Sequence, residues 1–165
     1  MPSESADLTI RPAAAGDADQ LAALFWAARE AAYPAMPRTI HTREEVGHWF
    51  REVLGLEPRT VPMPAERETW VAERNGDLVG YAVVDPRWLD SLYVRPDLTG
   101  TGIGGALLGL VKGLRPAGFG LWVFETNTRA QEFYRRHGLV VVRRTDGSDN
   151  EERAPDLEMA WPGTE

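Results

Sequence analysis

Gly100, Gly102, Gly104 and Gly105 stand close together between the apolar stretch Leu92-Tyr93-Val94 and the apolar stretch Ala106-Leu107-Leu108. Glycine lets the backbone take positive φ and approach a ligand closely, and the first amides of a helix have no partners inside it. A strand that turns through such a segment into a helix offers free N–H groups and the positive end of the helix dipole to an anion such as a pyrophosphate. The candidate phosphate cradle is Leu92, Tyr93, Val94, Thr99, Gly100, Thr101, Gly102, Ile103, Gly104 and Gly105.

Two phosphate-binding patterns compete for this segment. As G-x-G-x-x-G it fits Gly100, Gly102 and Gly105, with Glu125 closing the next apolar strand where a ribose-binding acid would sit, which would make the chain an NAD-dependent oxidoreductase. The context opposes this, because the stretch after Glu125 is too short for the further βα units of a doubly wound domain. Arg95-Pro96 and Leu98-Thr99 also separate the strand from the glycines, whereas the dinucleotide turn follows its strand at once. A P-loop needs Lys-Ser or Lys-Thr after the glycines, and neither is there.

A second group follows. Gly120-Leu121-Trp122-Val123-Phe124-Glu125-Thr126 reads as a strand, and Asn127 to Gly138 reads as a helix with Asn127 as N-cap and Gly138 as terminator. The two groups together resemble the GNAT family of acetyl-coenzyme A dependent N-acetyltransferases, over nearly the whole chain. That family's pyrophosphate motif is Gln or Arg, two residues, Gly, one residue, then Gly or Ala, after a strand ending like Leu92-Tyr93-Val94. Thr99-Gly100-Thr101-Gly102-Ile103-Gly104 falls on it, with Thr99 in place of the usual Gln or Arg, so that Arg95 or Lys112 would have to supply the missing contact. Asn127, Ala130, Phe133-Tyr134 and His137-Gly138-Leu139 follow the family's second pattern.

The resemblance implies an α/β (α+β) fold, a mixed central sheet of about seven strands flanked by about four helices, with residues 1–165 forming one domain. It implies acetyl-CoA as co-substrate, no metal, and direct attack of a primary amine on the thioester. Asn127 would contact the pantetheine arm alongside Ala130 and Phe133. Tyr134 would lie near the sulfur as general acid, and a backbone N–H near Tyr93 or Val94 would polarise the thioester carbonyl. In keeping with direct attack, the chain has no cysteine and no G-x-S-x-G serine.

The proton acceptor and the amine-binding groups are less determined. Asp90 could take the amine's proton through a water, or could be a solvated or salt-bridged strand residue. His41 and His48 are seven apart, on one face of a helix that often lines the acceptor pocket in this family, or they are two exposed helix histidines. Asn150, Glu151 and Glu152 either grip a cationic acceptor or belong to a solvated turn. His137 reads as a helix-end residue favoured by the dipole.

The elements that must carry these residues are legible. Leu8 to Arg11 is a strand; Asp17 to Ala32 is a helix with Leu21, Leu24, Phe25 and Ala28 on its buried stripe, stopped by Pro34 and Pro37. Thr42 and Glu45 form a capping-box pair opening a second helix, whose apolar face carries Val46, Trp49, Phe50, Val53 and Leu54. Glu57 to Glu66, with three prolines, is a loop. Asn75-Gly76 joins two strands in a hairpin, Trp88 to Val94 leads into the cradle, and Leu139 to Val142 and Leu157 to Trp161 are late strands.

Composition sets outer bounds. A net charge of −7 and a pI near 5.0, without a basic stripe, oppose a nucleic-acid or anionic-membrane partner and favour a cationic one, whether a small-molecule or a peptide amine. No apolar run is long enough for a membrane span, and Met1-Pro2-Ser3-Glu4 opens no signal segment, so a cytoplasmic protein is expected. A module that binds acyl-CoA as a sensor without catalysis is the rival reading. Whether the chain is a monomer or a homodimer is not legible.

Overall fold

The computed structural model describes residues 7–60, 62–64 and 66–164; Met1 to Glu4 lie outside them. In chain order the elements are β1 (Thr9–Pro12), α1 (Ala18–Ala32), α2 (Arg43–Val53), β2 (Glu68–Arg74), β3 (Asp77–Val84), β4 (Leu89–Val94), α3 (Ile103–Leu114), β5 (Phe119–Phe124), α4 (Thr128–Arg136), β6 (Val140–Thr145) and β7 (Asp156–Trp161). Short 3-10 turns precede α1 at Ala15–Asp17 and the cradle at Pro96–Leu98.

β1-β2-β3-β4 form one antiparallel ladder, and β5-β7-β6 form another. Among the described residues one parallel bridge, Trp88 to Gly120, joins them at the starts of β4 and β5. Gly120 suits that contact, since a Cβ there would meet the Trp88 ring at 2.8 Å. Past the bridge the two strands make no further ladder pairs among the described residues, so the sheet opens between their C-terminal ends. The seven strands thus form the mixed layer expected, with a seam at its centre.

Both faces of the first ladder are covered, and β3 carries residues to each, alternating from Gly80 onward; a register shift between Ala72 and Glu73 of β2 lets Val79 join Gly80 on the α3 side. Val79, Ala82 and Val84 join Ile103, Leu107, Leu108 and Val111 of α3 in one core. Leu78, Tyr81 and Val83 join Leu21 and Leu24 of α1 and Val46 and Phe50 of α2 in the other. Each fully buried Leu or Phe stabilises by about 1.5–3 kcal/mol, and these contacts fix α1 and α3 on opposite sides of the seam.

The turn signals act as read. Asn75 and Gly76 have φ of 54° and 82°, the pair of left-handed residues a type I′ hairpin requires. Thr42 Oγ1 accepts from Glu45 N at 3.1 Å, but the Glu45 carboxylate turns to His41 Nδ1, also at 3.1 Å, so only half of the capping box forms. β6 runs on through Arg143 to Thr145, beyond its apolar run, because the ladder with β7 continues to Asp156.

Candidate functional site

The cradle begins where β4 ends. Gly100 and Gly102 adopt φ of 79° and 96°, and Gly102 caps α3 in the left-handed region. The first amide of this stretch with a protein acceptor is that of Ala106, which donates to Gly102 O at 3.0 Å; those of Gly100 through Gly105 have none among the described residues. Six N–H groups at a helix N-terminus are therefore without a protein acceptor among the described residues, the donor set that fits a phosphate.

The four glycines divide by task. A Cβ at Gly100 or Gly102 would meet open space, so those two serve backbone conformation. A Cβ at Gly104 would lie 3.3 Å from the Phe133 ring, and one at Gly105 would lie 3.2 Å from His137 Nε2. These two let α4 pack closely on α3, and they reach a ligand only through their amides. Ile103 likewise offers an amide, while its side chain is buried in the core.

Neither basic residue expected to stand in for the side chain missing at Thr99 is free. Arg95 is engaged with Asp97 at 2.7 Å, and Lys112 Nζ donates to His137 O. Arg129 Nη2 instead donates to Thr99 Oγ1 at 3.2 Å, bringing a guanidinium to the cradle from α4. Arg129 is missing from the candidates read in the sequence. Its signal was a cation in the first turn of a helix, where the dipole disfavours it unless an external anion is near.

Leu92 and Val94 pack on the α3 core and Tyr93 on the α1 side. Arg95 N donates to Val79 O, so by strand alternation the Val94 N–H points away from β3, toward the seam. Across the seam, Asn127 Oδ1 accepts from Ala130 N at 3.3 Å and caps α4, leaving its amide donors without a protein partner among the described residues. Ala130 and Phe133 pack against the core, and the Phe133 and Tyr134 rings meet edge to face at 5.2 Å. The half-buried Tyr134 has no protein partner on its hydroxyl among the described residues, and burial raises its pKa well above that of an ordinary phenol.

A cavity of about 630 Å³ lies on the α1 side of the seam. Asp90, Tyr93 and Phe124 from β4 and β5, Phe25 and Arg29 from α1, His41, and the β6–β7 loop line it. Asp90 is exposed, accepts from Ser91 Oγ at 2.9 Å and lies 3.6 Å from Arg67 Nη2. Asn150, Glu151 and Glu152 all reach the wall, each with an internal partner. Asn150 ties its own loop through Ala154 O at 2.6 Å; Glu151 faces His41 Nε2 at 2.9 Å; Glu152 accepts from Arg29 at 3.4 Å.

His48 is not on that wall. Its Nε2 lies 2.9 Å from Glu52 and its Nδ1 contacts Glu57, which clasps the following loop to α2. The seven-residue spacing misleads because His41 precedes the N-cap Thr42, so helical periodicity does not reach it. Among the described residues, no group of three or more His, Asp or Glu is arranged to hold a metal, and no helix is long and apolar enough to cross a membrane.

A family model described as Acetyltransferase (GNAT) domain matches residues 65–140. Peptidyl-lysine N-acetyltransferase YjaB of Salmonella typhimurium is 34% identical over 98 residues, which is 59% of this chain and 67% of that protein. The chain belongs to the GNAT family. Among GNAT structures, apo YjaB from Escherichia coli superimposes with a TM-score of 0.72 at 23% identity, covering 96% of this chain and 99% of that one. YncA of Salmonella typhimurium, solved with its cofactor acetyl-CoA, gives 0.69 at 19% identity, covering 96% and 95%. The matched region contains the cradle, Asn127 and Tyr134, whereas Arg29, His41, Glu151 and Glu152 lie outside it. This is a GNAT-type N-acetyltransferase.

Proposed function

We propose that this chain, acting as one domain in the cytoplasm, moves the acetyl group of acetyl-CoA onto a primary amine by direct attack. The observation that carries the reading is the meeting, at one seam, of an open anion cradle, a half-buried tyrosine whose hydroxyl has no protein partner among the described residues, and an acid-lined cavity. The name of the related YjaB, a peptidyl-lysine N-acetyltransferase, makes a lysine-type amine the first acceptor to test.

When bound, acetyl-CoA supplies a thioester carbonyl carbon that a neutral amine attacks directly. The amides of Gly100 to Gly105 and the Arg129 guanidinium hold its phosphates, and the amide of Asn127 orients the pantetheine arm. The Val94 N–H, unpaired toward the seam, donates to the thioester carbonyl oxygen. An alkyl amine of pKa about 10.4 arrives protonated, and Asp90 takes its proton through a water. Burial favours the protonated form of Tyr134, which gives its proton to the departing sulfur; the second proton, shed by the nitrogen as the amide forms, returns to the tyrosine. Asp90, Asp149, Glu151 and Asp156 make the cavity favourable to an ammonium.

Thiol release from acetyl-CoA, measured with a panel of small amines and lysine peptides, tests the reading. Release that requires an amine supports it. Stabilisation by acetyl-CoA with no amine-dependent release from any member points to the non-catalytic sensor.

A further inference from the structure

Arg29 is the charged side chain that this chemistry leaves unused. It sits in the last turn of α1, lines the acceptor cavity and is only 8% exposed. Burying a guanidinium is unfavourable unless its donors are satisfied, and a fork with five N–H groups needs several acceptors. The structure provides few. Nη2 donates to Pro37 O at 2.9 Å and reaches Glu152 only at 3.4 Å, Nη1 reaches the Tyr93 hydroxyl at 3.4 Å, and the buried Nε has no partner among the described residues. Charge-assisted N–H···O contacts ordinarily close to about 2.7–2.9 Å, so the ion pair with Glu152 is slack. The Phe25 and Phe124 rings flank the guanidinium at 5.8 and 5.9 Å and hold its plane without taking its hydrogen bonds.

Most other charges in the lining are acidic, from Asp90, Asp149, Glu151, Glu152 and Asp156; Arg143 is engaged with Glu158 at 3.1 Å and His41 with Glu151 at 2.9 Å. A simple alkyl amine would be served by acids alone. A slack, buried cation set among acids, beside Tyr93 at the seam, complements a molecule that carries both charges.

We propose that Arg29 recognises a carboxylate on the acceptor, so that the preferred acceptor is an amine bearing a carboxylate within reach of the seam. This rests on the acetyl-transfer reading and specifies its substrate class. Glu152, on the β6–β7 loop, occupies part of the same guanidinium and gives way to the incoming carboxylate, which closes to ordinary hydrogen-bond distance. The carboxylate belongs either to a free amino acid or to an acidic residue beside the lysine of a peptide.

The test compares lysine with lysinamide, which keeps both amines and lacks the carboxylate, and a Glu-Lys peptide with its Gln-Lys counterpart. Each is followed by calorimetric binding to the CoA-loaded protein and by thiol release from acetyl-CoA. A carboxylate held by a buried guanidinium is expected to favour the acid of one pair by roughly tenfold or more, and the pair that responds names the source. Arg29→Met should bring that ratio to near one. Glu152→Gln, which leaves the guanidinium in place and frees its partner, should raise it, and decides the matter if Arg29→Met does not fold. Equal binding and release within both pairs by the wild-type chain, or a ratio unchanged in Arg29→Met, overturns the proposal. Carboxylate-selective binding without thiol release would sink acetyl transfer and leave the site standing; release without selectivity would do the reverse.

Discussion

His41 Nε2 lies 2.9 Å from the Glu151 carboxylate, with Glu45 on its other ring nitrogen at 3.1 Å. One imidazole thus links the start of α2 to the β6–β7 loop across the mouth of the acceptor cavity. Contact with Glu151, and secondarily with Glu45, raises the His41 pKa. A raised folded-state pKa gives stability that is fully present below the unfolded value of about 6.5 and is lost as pH rises through the folded value. The melting temperature of the wild type should therefore exceed that of His41→Gln near about pH 5.5, where the carboxylates are still ionised, and the gap should close by about pH 8.5. A gap that widens with pH would contradict the pairing.

Arg129 should matter to the coenzyme. Its guanidinium is exposed, so screening limits its contribution, and Arg129→Ala is expected to raise the Kd for CoA by roughly three- to tenfold and to flatten its salt dependence. Placing Gln at Thr99 in that background should recover part of the loss. Calorimetry at two salt concentrations checks both points.

The glycines of the cradle should separate by phenotype. Gly102→Ala puts a Cβ at φ 96°, which costs about 1–2 kcal/mol and lowers Tm by roughly 2–8 °C, and it weakens CoA binding because the cap itself is distorted. Gly104→Val drives methyls into Phe133, an overpacking cost of about 1–3 kcal/mol, and displaces the helix that carries Tyr134. The first should act mainly on Kd and the second mainly on kcat.

The cofactor half was legible in the sequence because it is written in local signals. Glycines, a capping Asn and strand-then-helix periodicity act within a few residues of one another, and the cradle and α4 formed where those signals stand. The acceptor half is built from contacts between distant segments, such as Arg29 with Glu152 and His41 with Glu151, to which spacing is blind. Helical periodicity begins only after Thr42, so the spacing of seven does not bring His48 to the face of His41. Glu151 and Glu152 line the cavity, but nothing local announces that each already faces a basic side chain. Arg129 escaped for the same reason, since its partner Thr99 lies on another element.

The central claim is acetyl transfer at the seam with Tyr134 as proton donor, and the most direct measurement is acetylation of a lysine-type amine by wild type and Tyr134→Phe, beside the Kd of acetyl-CoA for each. With no protein partner on its hydroxyl among the described residues, Tyr134→Phe should fold and bind acetyl-CoA as the wild type does. Its kcat should fall by about 10²-fold or more. Equal kcat in the two proteins would remove Tyr134 from the chemistry, and acetyl-CoA binding with no transfer to any amine would contradict the account as a whole.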